Sequence, residues 1–599
     1  MNGTPPSYGL FRSGLLPREL WSELVNARGD RKPIDASMNE QQYKRIKYLI
    51  EKFNVQSLGR GIPIVDIPGW VMAAVSNSSL DLSVKSYRYI EDLKNRGSND
   101  IVEQILPFQL QGLQYGVSKQ GRCLIADEMG LGKSLQALMI AYEYSSTDWP
   151  LLIICPSSIR FVWKQQISRW FNGLINVNND VQVIKKGTDS INLKAKIVIV
   201  PYVLLASNAH LRELPGKKPF QCVICDESHY IKDSTSKRSS AVLSILKKTK
   251  RAILLSGTPS MNNADELYPQ IVHLFPFGPP TLAAYRNRYC VSSTFTPKNS
   301  SFPITRWSGS QFREELNSLL LSTLMIRRMK KDVLTELPDK IRQRIDLDVG
   351  DSKWCKELQQ MTSRWLASSG GNQRGGNYSN QSLETMELWR ATGAAKLHSV
   401  KEYLKDLFAS NESSSSTLKC IIFAHHKFVL DGIEDLLLNE TSFVGPGKYM
   451  RIDGSVSQDQ RSIRVSDFQS NPDCRVALLS ITACAEGITL TAANLVLFTE
   501  LYWVPGIIEQ AEARAHRVGQ KDSVYCQYLI CPESPDEVVF NMLEKKKKDT
   551  SAILDGQETG LMTVQPNVSD QELARFIEDE TLWVPVDGET ALKRPRVTE

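Results

Sequence analysis

The sequence lacks the features that place a chain in a membrane or on the secretory route. No apolar stretch reaches the ~20 residues that a membrane-spanning helix needs, so no membrane partner is expected. The first residues, Met1 to Pro6, show neither the basic nor the apolar region of a secretory signal. No internal repeat of fixed period is present, so a repeat architecture is not expected.

Paired cysteines are also scarce. The chain has 11 cysteines, and the only Cys-x-x-Cys spacing is Cys222 to Cys225, inside an apolar run. Because no second pair follows at zinc-finger spacing, this run is predicted to be a buried strand and no zinc finger is expected. Scattered thiols fit a reducing compartment, where cysteine behaves as a small core residue.

Strong charge of one sign is absent as well. The 599 residues carry 72 Lys and Arg against 66 Asp and Glu, a net charge of +6. This surplus is compatible with a nucleic-acid partner but is ordinary for an enzyme of this length. A hydrophobic fraction of 42% excludes disorder as the dominant state.

Short apolar runs alternate with helical segments from about residue 101 onward. One group of runs comprises residues 123–126, 151–155, 197–200, 223–225 and 252–255, and a later group comprises 421–424, 476–480, 495–498 and 525–530. Such alternation is typical of parallel sheets with crossover helices. The predicted fold class is therefore α/β, with two parallel-sheet units.

This pattern also predicts the domain boundaries. An accessory segment covers residues 1–100, the first α/β unit 101–275, the second 396–550 and a tail 551–599. The region 276–395 is predicted to be a helical insertion with a linker. Residues 368–377, rich in Gly, Asn and Ser, are predicted to form a flexible loop within it.

A phosphate-binding pattern follows the first apolar run. It consists of Asp127, Glu128, Met129, Gly130, Leu131, Gly132, Lys133 and Ser134. Glycines let backbone N–H groups approach phosphates, and the start of the following helix adds positive potential. Lys133 is predicted to reach the phosphates and Ser134 to ligate Mg²⁺. The strict P-loop pattern begins with Gly rather than Asp127, so a plain strand-to-helix turn remains an alternative at this point.

Two acids at the end of another apolar run support the phosphate site. Asp226 and Glu227 directly follow residues 223–225. Asp226 is predicted to hold the Mg²⁺, and Glu227 to orient and deprotonate an attacking water. An acidic pair is usually a solvated turn, but one at the carboxyl end of a buried strand downstream of a phosphate loop favours ATP and Mg²⁺ as ligands.

In this order the motifs resemble those of superfamily 2 helicase motors, and the loop at 127–134 resembles that of Swi/Snf-related ATPases, which begins with Asp. The resemblance covers roughly residues 104–550. It implies two RecA-like lobes with helical insertions between them. By this resemblance, Gln109 reads adenine, and Arg514 and Arg517 act as arginine fingers. The residues implied to couple hydrolysis to DNA are Ser256, Gly257, Thr258 and Gln510.

Further stretches resemble the annealing-helicase branch of that family, which includes the HepA-related protein (HARP). They are residues 226–229, 421–431 and 500–506. The zinc finger found in one member of the branch and the branch's motif for a single-strand-binding protein are not seen. Residues 43–55 fit an ordinary amphipathic helix better than a decayed HARP-like region.

Residues at several strand ends are predicted to contact DNA phosphates, which position a protein without reading sequence. They are Pro156, Ser157, Lys164, His425, His426 and Thr482. Trp163 is predicted to pack in the core instead. The two adjacent histidines are not predicted to hold a metal, since they cannot share a helix face and the sequence shows no nearby carboxylate.

Two basic runs have a less specific meaning. Residues 545–548 are four lysines, predicted to be a solvated helix end, with nuclear targeting or a DNA-phosphate contact as the less favoured alternatives. Residues 593–596 are more similar to a nuclear import signal.

The resemblance implies an ATP-driven DNA translocase in the nucleus that rewinds separated strands and remodels duplex, branched or forked DNA. A single-strand-binding protein is a partner that the sequence itself does not show. Three alternatives remain open. They are a nucleosome-remodelling ATPase, an RNA helicase and a catalytically silent DNA-binding scaffold. The flanking segments leave little room for the modules of a nucleosome remodeller, and the complete set of hydrolytic residues argues against a silent scaffold.

Overall fold

A computed structural model describes residues 71, 86–260, 262–275, 278–295, 304–334, 336–348, 358, 360–361, 378–412, 418–439, 448–482 and 488–560. The predictions for residues 43–55, 368–377 and 593–596 lie outside these residues.

The secondary structure of the described part contains strands and helices in regular alternation. The strands are β1 (Arg122–Ile125), β2 (Leu151–Cys155), β3 (Val181–Val183), β4 (Ile197–Pro201), β5 (Cys222–Cys225), β6 (Arg251–Leu255), β7 (Val291–Phe295), β8 (Ile304–Ser308), β9 (Met325–Ile326), β10 (Lys340–Asp346), β11 (Cys420–Ala424), β12 (Tyr449–Ile452), β13 (Val476–Ser480), β14 (Leu495–Phe498) and β15 (Val524–Ile530). The helices are α1 (Arg88–Asn95), α2 (Asn99–Glu103), α3 (Pro107–Ser118), α4 (Lys133–Glu143), α5 (Arg160–Trp170), α6 (Val177–Asp180), α7 (Tyr202–Ser207), α8 (Lys237–Leu246), α9 (Tyr268–Ile271), α10 (Leu282–Tyr289), α11 (Arg313–Thr323), α12 (Lys330–Val333), α13 (Tyr378–Glu412), α14 (Lys427–Asn439), α15 (Gln458–Ser470), α16 (Pro505–Glu512) and α17 (Pro535–Asp555).

The chain divides into two compact units. The described residues of the first lobe fall within Met1–Val291, Gly309–Val333 and Asp549–Glu558. Those of the second lobe fall within Ser292–Ser308, Leu334–Lys548 and Thr559–Glu599. The C-terminal helix α17 therefore contributes residues to both lobes.

The first lobe is built on a seven-stranded sheet in the order β3-β4-β2-β5-β6-β1-β9, in which neighbouring strands run parallel. Strands β2, β4 and β5 are buried along their whole length. Near-continuous apolar runs suit strands that helices cover on both faces. The five predicted strands of this lobe are confirmed, and the Cys222–Cys225 run is indeed a buried strand.

The second lobe contains a six-stranded parallel sheet in the order β10-β15-β14-β11-β13-β12. The four predicted strands are confirmed as β11, β13, β14 and β15. Two edge strands, β10 and β12, were not predicted. Strand β10 pairs with β15 along its full length, from Lys340 beside Val524 to Asp346 beside Ile530. The α/β class with two parallel sheets is thus confirmed.

The region 276–395 does not form a body of its own. Strand β9 extends the first sheet, and β10 extends the second. The region also includes the two-stranded sheet of β7 and β8, so it is not purely helical. Helix α13 runs continuously across the predicted boundary at residue 395.

The first lobe begins before the predicted boundary at residue 101, because α1 packs into its core. Tyr89 and Leu93 of α1 are fully buried, and the Tyr89 hydroxyl donates to the carbonyl of Trp170 at 2.7 Å. Glu143 accepts the N–H groups of Arg88 and Tyr89 at 3.0 and 2.9 Å. Among the residues that the structure describes, no helix is both long and apolar enough to cross a membrane.

Candidate functional site

The predicted phosphate loop connects β1 to α4 in the first lobe. Gly130 and Gly132 have φ angles of 88° and 73°, in the left-handed region that favours glycine. A Cβ on Gly132 would lie 2.4 Å from the side-chain nitrogen of Gln109, so this position also needs glycine for space. Lys133 and Ser134 form the first turn of α4, where free N–H groups and the helix dipole favour an anion.

The Lys133 ammonium group lies across the loop. Its Nζ donates to the carbonyl oxygens of Asp127 at 2.9 Å and Glu128 at 3.4 Å. Both of these acceptors are neutral carbonyl oxygens, and they hold the charged group inside the loop. A phosphate bound there would offer it a stronger, charged acceptor.

Gln109, the predicted adenine reader, lies beside this loop and is buried. Its Oε1 accepts the N–H of Leu106 at 3.0 Å, an interaction that caps the start of α3. Its Nε2 lies 3.4 Å from the carbonyl of Leu131. The structure thus brings the predicted adenine segment against the phosphate loop, while the reading of adenine stays a prediction.

The acidic pair follows β5, two strands from β1 in the sheet. Asp226 is half-buried, and its Oδ2 accepts the indole N–H of Trp163 at 2.8 Å. The Tyr202 hydroxyl donates to the Asp226 carbonyl at 2.8 Å. Burial, and then the neighbouring Glu227 carboxylate, raise the pKa of Asp226 to about 7. The prediction that Trp163 packs in the core is confirmed, and its polar edge also holds the first acid in place.

Glu227 has a φ of 49°, an uncommon value for a non-glycine residue and one that concentrates at functional sites. Its Oε2 is buried and has no hydrogen-bond donor among the described residues. His229 Nδ1 lies 3.3 Å from this oxygen. Because burial lowers the pKa of His229, this ring is a neutral neighbour rather than a charged partner. Glu227 therefore presents an oxygen that can accept a proton.

The predicted coupling residues Ser256, Gly257 and Thr258 follow β6, which lies between β5 and β1. Ser256 Oγ lies 3.1 Å from His229 Nδ1 and accepts the N–H of Thr258 at 3.2 Å. A Cβ on Gly257 would lie 2.6 Å from Met129 Cγ and 3.4 Å from Lys133 Nζ. The structure therefore brings the phosphate loop, the acidic pair and the coupling segment together in one lobe.

These residues fit a nucleotide with a divalent cation. Lys133 and the first turn of α4 supply positive charge for phosphate oxygens. Asp226 and the Ser134 hydroxyl supply the oxygen ligands that Mg²⁺ prefers, usually together with phosphates and waters. The adjacent acids repel each other, and a cation beside Asp226 would relieve that repulsion.

A segment that the sequence analysis missed lies behind the phosphate loop. Arg327 donates to the carbonyls of Ala126 at 2.8 Å and Gly257 at 3.0 Å. Arg328 binds the Asp127 carboxylate, and the Lys330 N–H donates to Glu128 at 2.8 Å. The available signal was a run of basic residues directly after the short apolar pair of β9, a pattern more often found on a solvated face.

The predicted arginine fingers lie in the second lobe, in the turn that follows α16. Arg514 is buried, and its Nη1 donates to the carbonyl of Ile488 at 3.2 Å. Arg517 donates to Thr489 Oγ1 at 3.0 Å and to the carbonyl of Ala513 at 2.9 Å. Gln510 is buried in α16, and its Nε2 has no hydrogen-bond acceptor among the described residues.

This turn is anchored by a buried carboxylate that was also missed. Glu512 is fully buried and accepts from Arg342 Nε and Nη2, both at 2.7 Å, and from Lys340 Nζ at 3.0 Å. The Tyr528 hydroxyl is a further donor. Burial alone would raise the pKa of Glu512, but the charges of Arg342 and Lys340 hold it well below its usual range. On the same turn, His516 Nε2 lies 2.7 Å from the carbonyl of Pro338.

His425 and His426 follow β11 and contact a carboxylate, contrary to the prediction that none is near. The carboxylate is that of Glu500, which follows β14. Its Oε1 lies 2.6 Å from His426 Nδ1, and its Oε2 accepts the backbone N–H groups of both histidines. Strands β11 and β14 are neighbours, which sequence distance conceals. The ring of Trp389 packs 4.2 Å from that of His425. Burial lowers the pKa of His425 to about 4. Within the described ranges, no cluster of His, Cys, Asp or Glu suits a metal ion.

The other residues predicted to contact DNA follow β2 and β13, three of them directly after a strand and Lys164 in the next helix. Pro156 is buried after β2, Ser157 is exposed, and Lys164 is half-buried in α5. Thr482 is exposed after β13, which pairs with β11. Each lobe thus contains some of these residues, and their contact with DNA stays a prediction.

The lysines at 545–548 lie within α17 rather than at its end. Lys547 forms an ion pair with Glu509 of α16. The prediction of a solvated helix end is therefore wrong, because the helix continues for two more turns after these residues, to Asp555.

Comparison with known proteins gives a consistent result. Residues 80–394 match the SNF2-related domain, and residues 396–519 match the helicase conserved C-terminal domain. The chain is 38% identical over 512 residues to "DNA annealing helicase and endonuclease ZRANB3" of Bos taurus, covering 85% of this chain and 45% of that protein. It is 36% identical over 463 residues to "SWI/SNF-related matrix-associated actin-dependent regulator of chromatin subfamily A-like protein 1" of Xenopus laevis, covering 77% and 45%.

A solved structure titled "Sulfolobus solfataricus SWI2/SNF2 ATPase core in complex with dsDNA" is 22% identical, covers 76% of this chain and 93% of that chain, and superposes with a TM-score of 0.35. The chain spans somewhat less than half the length of the first two relatives. The SNF2-related match alone covers more than half of the chain and contains the phosphate loop, the acidic pair and the coupling segment. The chain therefore belongs to the SNF2-related domain family.

Proposed function

We propose that this chain is an ATP-driven DNA translocase that rewinds separated strands and remodels branched or stalled-fork DNA. The observation that carries the proposal is the convergence of Lys133, the Asp226–Glu227 pair and Ser256 at the ends of nearby strands in one sheet. Membership of the SNF2-related family and the helicase C-terminal match support the assignment to DNA motors.

In this proposal ATP is the substrate of the first lobe. Lys133 and the N–H groups of the phosphate loop bind its phosphates, and Gln109 binds the adenine edge. Glu227 accepts the proton of the attacking water, since its buried Oε2 lacks a donor among the described residues. Ser134 and Asp226 would hold Mg²⁺, which when bound neutralises phosphate charge.

The second lobe is proposed to supply Arg514 and Arg517 as arginine fingers. A guanidinium stabilises the negative charge that develops on the transferred phosphoryl group, and its planar fork suits phosphate oxygens. Ser256, Gly257, Thr258 and Gln510 are proposed to couple hydrolysis to movement. Alternating grips of the two lobes on the DNA backbone then produce steps along the duplex.

The DNA partner and the cellular location rest on the relatives. The Bos taurus relative is named a DNA annealing helicase, and its name supports strand rewinding as the output. Branched or forked DNA as substrate, action in the nucleus and recruitment by a single-strand-binding protein are parts of the same proposal. Phosphate contacts by Ser157, Lys164, His425, His426 and Thr482, and a backbone contact at Pro156, would bind DNA without reading its sequence.

The test is ATP hydrolysis measured with plain duplex, single-stranded, forked and nucleosomal DNA, followed by strand annealing on bubble DNA. We expect forked DNA to stimulate hydrolysis most and the bubble to close only with ATP. Lys133→Ala should abolish both activities and largely retain DNA binding. Persistent hydrolysis in a clean preparation of that variant would remove the site assignment.

The same panel separates the alternatives. Strongest stimulation by nucleosomes would favour chromatin remodelling over fork rewinding. An RNA substrate added to the panel tests the RNA helicase, which stimulation by RNA would favour. No turnover with any nucleic acid would leave a DNA-binding scaffold and refute the enzyme.

A further inference from the structure

The segment Leu324 to Lys330 runs alongside β1 and the start of the phosphate loop. The N–H groups of Leu124 and Ala126 donate to the carbonyls of Leu324 and Ile326, both at 2.8 Å. The N–H of Glu128 donates to the carbonyl of Arg328 at 2.9 Å. This ladder continues past the end of β1, so the backbone of Arg328 is fixed beside the loop.

The Arg328 side chain joins three parts of the first lobe. Its Nε and Nη2 donate to the Asp127 carboxylate at 3.0 and 2.5 Å. Nη2 also donates to Gln136 Oε1 of α4 at 2.8 Å. Nη1 donates to the carbonyl of Phe108, the residue immediately before Gln109. One guanidinium therefore connects the adenine segment, the first residue of the phosphate loop and the helix that follows the loop.

The charge pattern explains why this loop begins with an acid. Asp127 is fully buried, and the Arg328 side chain is 12% exposed. A buried carboxylate needs a paired cation and hydrogen bonds, which Arg328 and Gln136 supply. A glycine at position 127 would leave the guanidinium buried without its carboxylate. Asp127 is thus the partner of Arg328, and its side chain is turned away from any role in holding phosphate.

The packing around this junction is close. A Cβ on Gly112 would lie 1.9 Å from Gln136 Oε1 and 3.1 Å from Arg328 Nη2. The guanidinium also lies 5.3 Å from the centre of the Phe108 ring. Helix α3 therefore approaches α4 and Arg328 through a residue without a side chain, which leaves little freedom for Phe108 and Gln109 to shift relative to the loop.

We propose that Arg328 is a positioning residue of the nucleotide site, which sets the distance between the group that reads adenine and the loop that binds phosphate. This inference rests on the proposed function, since it takes ATP as the nucleotide and Gln109 as the adenine reader. Arg328 does not touch substrate in this proposal. It acts through Asp127 and the Phe108 carbonyl.

The experiment compares Arg328→Lys with wild type in steady-state hydrolysis of ATP and GTP at saturating DNA. Lysine keeps the charge for Asp127 but cannot also span Gln136 and the Phe108 carbonyl. We expect the KM for ATP to rise about 10-fold or more, with kcat within about threefold. The preference for ATP over GTP should fall, because misplacement of Gln109 weakens only the adenine contact.

Arg286→Lys is the matched control. Arg286 also forms a two-pronged pair with a carboxylate in the first lobe, to Asp265 at 2.7 and 2.8 Å. It should leave KM and the ATP preference unchanged. If Arg328→Lys does not fold, the pair Asp127→Asn with Arg328→Gln removes the buried charges together. It should still lose the ATP preference.

The outcomes separate this inference from the proposed function. Without DNA-stimulated hydrolysis in wild type, the proposed function fails first. An active wild type that does not prefer ATP refutes adenine reading and the inference with it. The remaining case is a wild type that prefers ATP. If Arg328→Lys then keeps both that preference and the wild-type KM for ATP, the positioning role is refuted. The same holds if the variant loses only thermal stability and kcat, because Arg328 is then a structural residue.

Discussion

Each lobe fixes its reactive segment with one buried carboxylate bound by one arginine, but the two pairs hold different segments. In the first lobe Arg328 binds Asp127 at the start of the phosphate loop. In the second lobe Arg342 binds Glu512, directly before the turn with Arg514 and Arg517. The first pair should therefore affect nucleotide binding, and the second should affect turnover.

The pairs also differ in their surroundings. Asp127 is shared between Arg328 and the neutral amide of Gln136. Glu512 receives two cations and a hydroxyl, from Arg342, Lys340 and Tyr528. Negative and positive charge are therefore nearly equal around Asp127, whereas positive charge is in excess around Glu512. This comparison predicts which changes each lobe tolerates.

The largest effect is expected from removing the charge that each lobe is proposed to direct at phosphate. Lys133→Ala should reduce hydrolysis about 1,000-fold or more and weaken ATP binding. Arg514→Ala should reduce kcat to a similar extent with ATP binding within about threefold, because an arginine finger acts on charge in the transition state. The rate of ATP hydrolysis is measured at saturating DNA, and the affinity for ATP is measured by titration with a fluorescent ATP analogue.

Lys248→Ala, which breaks a surface pair with Glu213, is the control. Equal loss of ATP binding in both variants would erase the contrast between lobes.

The second effect tests the anchor of the arginine turn. Arg342→Gln should lower kcat about 10- to 100-fold and leave the KM for ATP nearly unchanged, the reverse of Arg328→Lys. It should also reduce the free energy of unfolding by about 3 kcal/mol, since Glu512 loses its two-pronged partner in a buried site. Chemical unfolding and steady-state kinetics report both numbers. Arg344→Gln, two residues along β10 and paired with Asp346, is the matched control. A rise in KM alone would contradict the assignment.

The third effect concerns acid. Because the folded pKa of Glu512 lies below its unfolded value, the folded state keeps the charge where the unfolded chain takes up a proton. The stabilisation is full above about pH 4.3 and is lost as pH falls toward the folded pKa. Glu512→Gln should thus be less stable than wild type at pH 7, with a gap that narrows below about pH 4. Thermal melts across pH 3 to 8 show this directly, and a gap independent of pH would mean that charge is not the cause.

The smallest effect compares two glycines. Gly132 and Gly519 both have positive φ angles, 73° and 99°. Alanine at either should cost about 1 kcal/mol of stability through the backbone alone. Only Gly132→Ala also displaces Gln109, since nothing lies within 4 Å of a Cβ on Gly519. We expect the KM for ATP to rise in Gly132→Ala alone. Matching kinetics in the two variants would show that the contact with Gln109 has no effect on binding.

The sequence predicted the strands that consist mainly of apolar residues. Strands such as β2 and β13 are buried along their full length, and burial on both faces leaves a simple pattern. Strand β10 was missed because an edge strand needs no such run, and its residues from Lys340 to Asp346 are mostly polar. Strands β3 and β9 are too short to show any periodicity.

The same distinction applies to the site. The phosphate loop and the acidic pair are local patterns, so their residues could be named from the chain. The arginine partners of Asp127 and Glu512 lie 201 and 170 residues away in sequence. Spacing carries no information about such pairs, and a basic run beside a strand is more often exposed than buried. The contact of His426 with Glu500 was missed for the same reason.

The buried cysteines give the molecule a set of built-in chemical reporters. Cys123 and Cys222 lie in the first sheet, and Cys420 and Cys474 lie in the second lobe. Burial raises the pKa of Cys123 and of Cys420 to about 12, so neither is a reactive thiolate while its sheet is closed. An alkylating reagent can reach them only through local opening. Labelling rates at each position, read by peptide mass, therefore give separate opening free energies for the two lobes without any introduced probe.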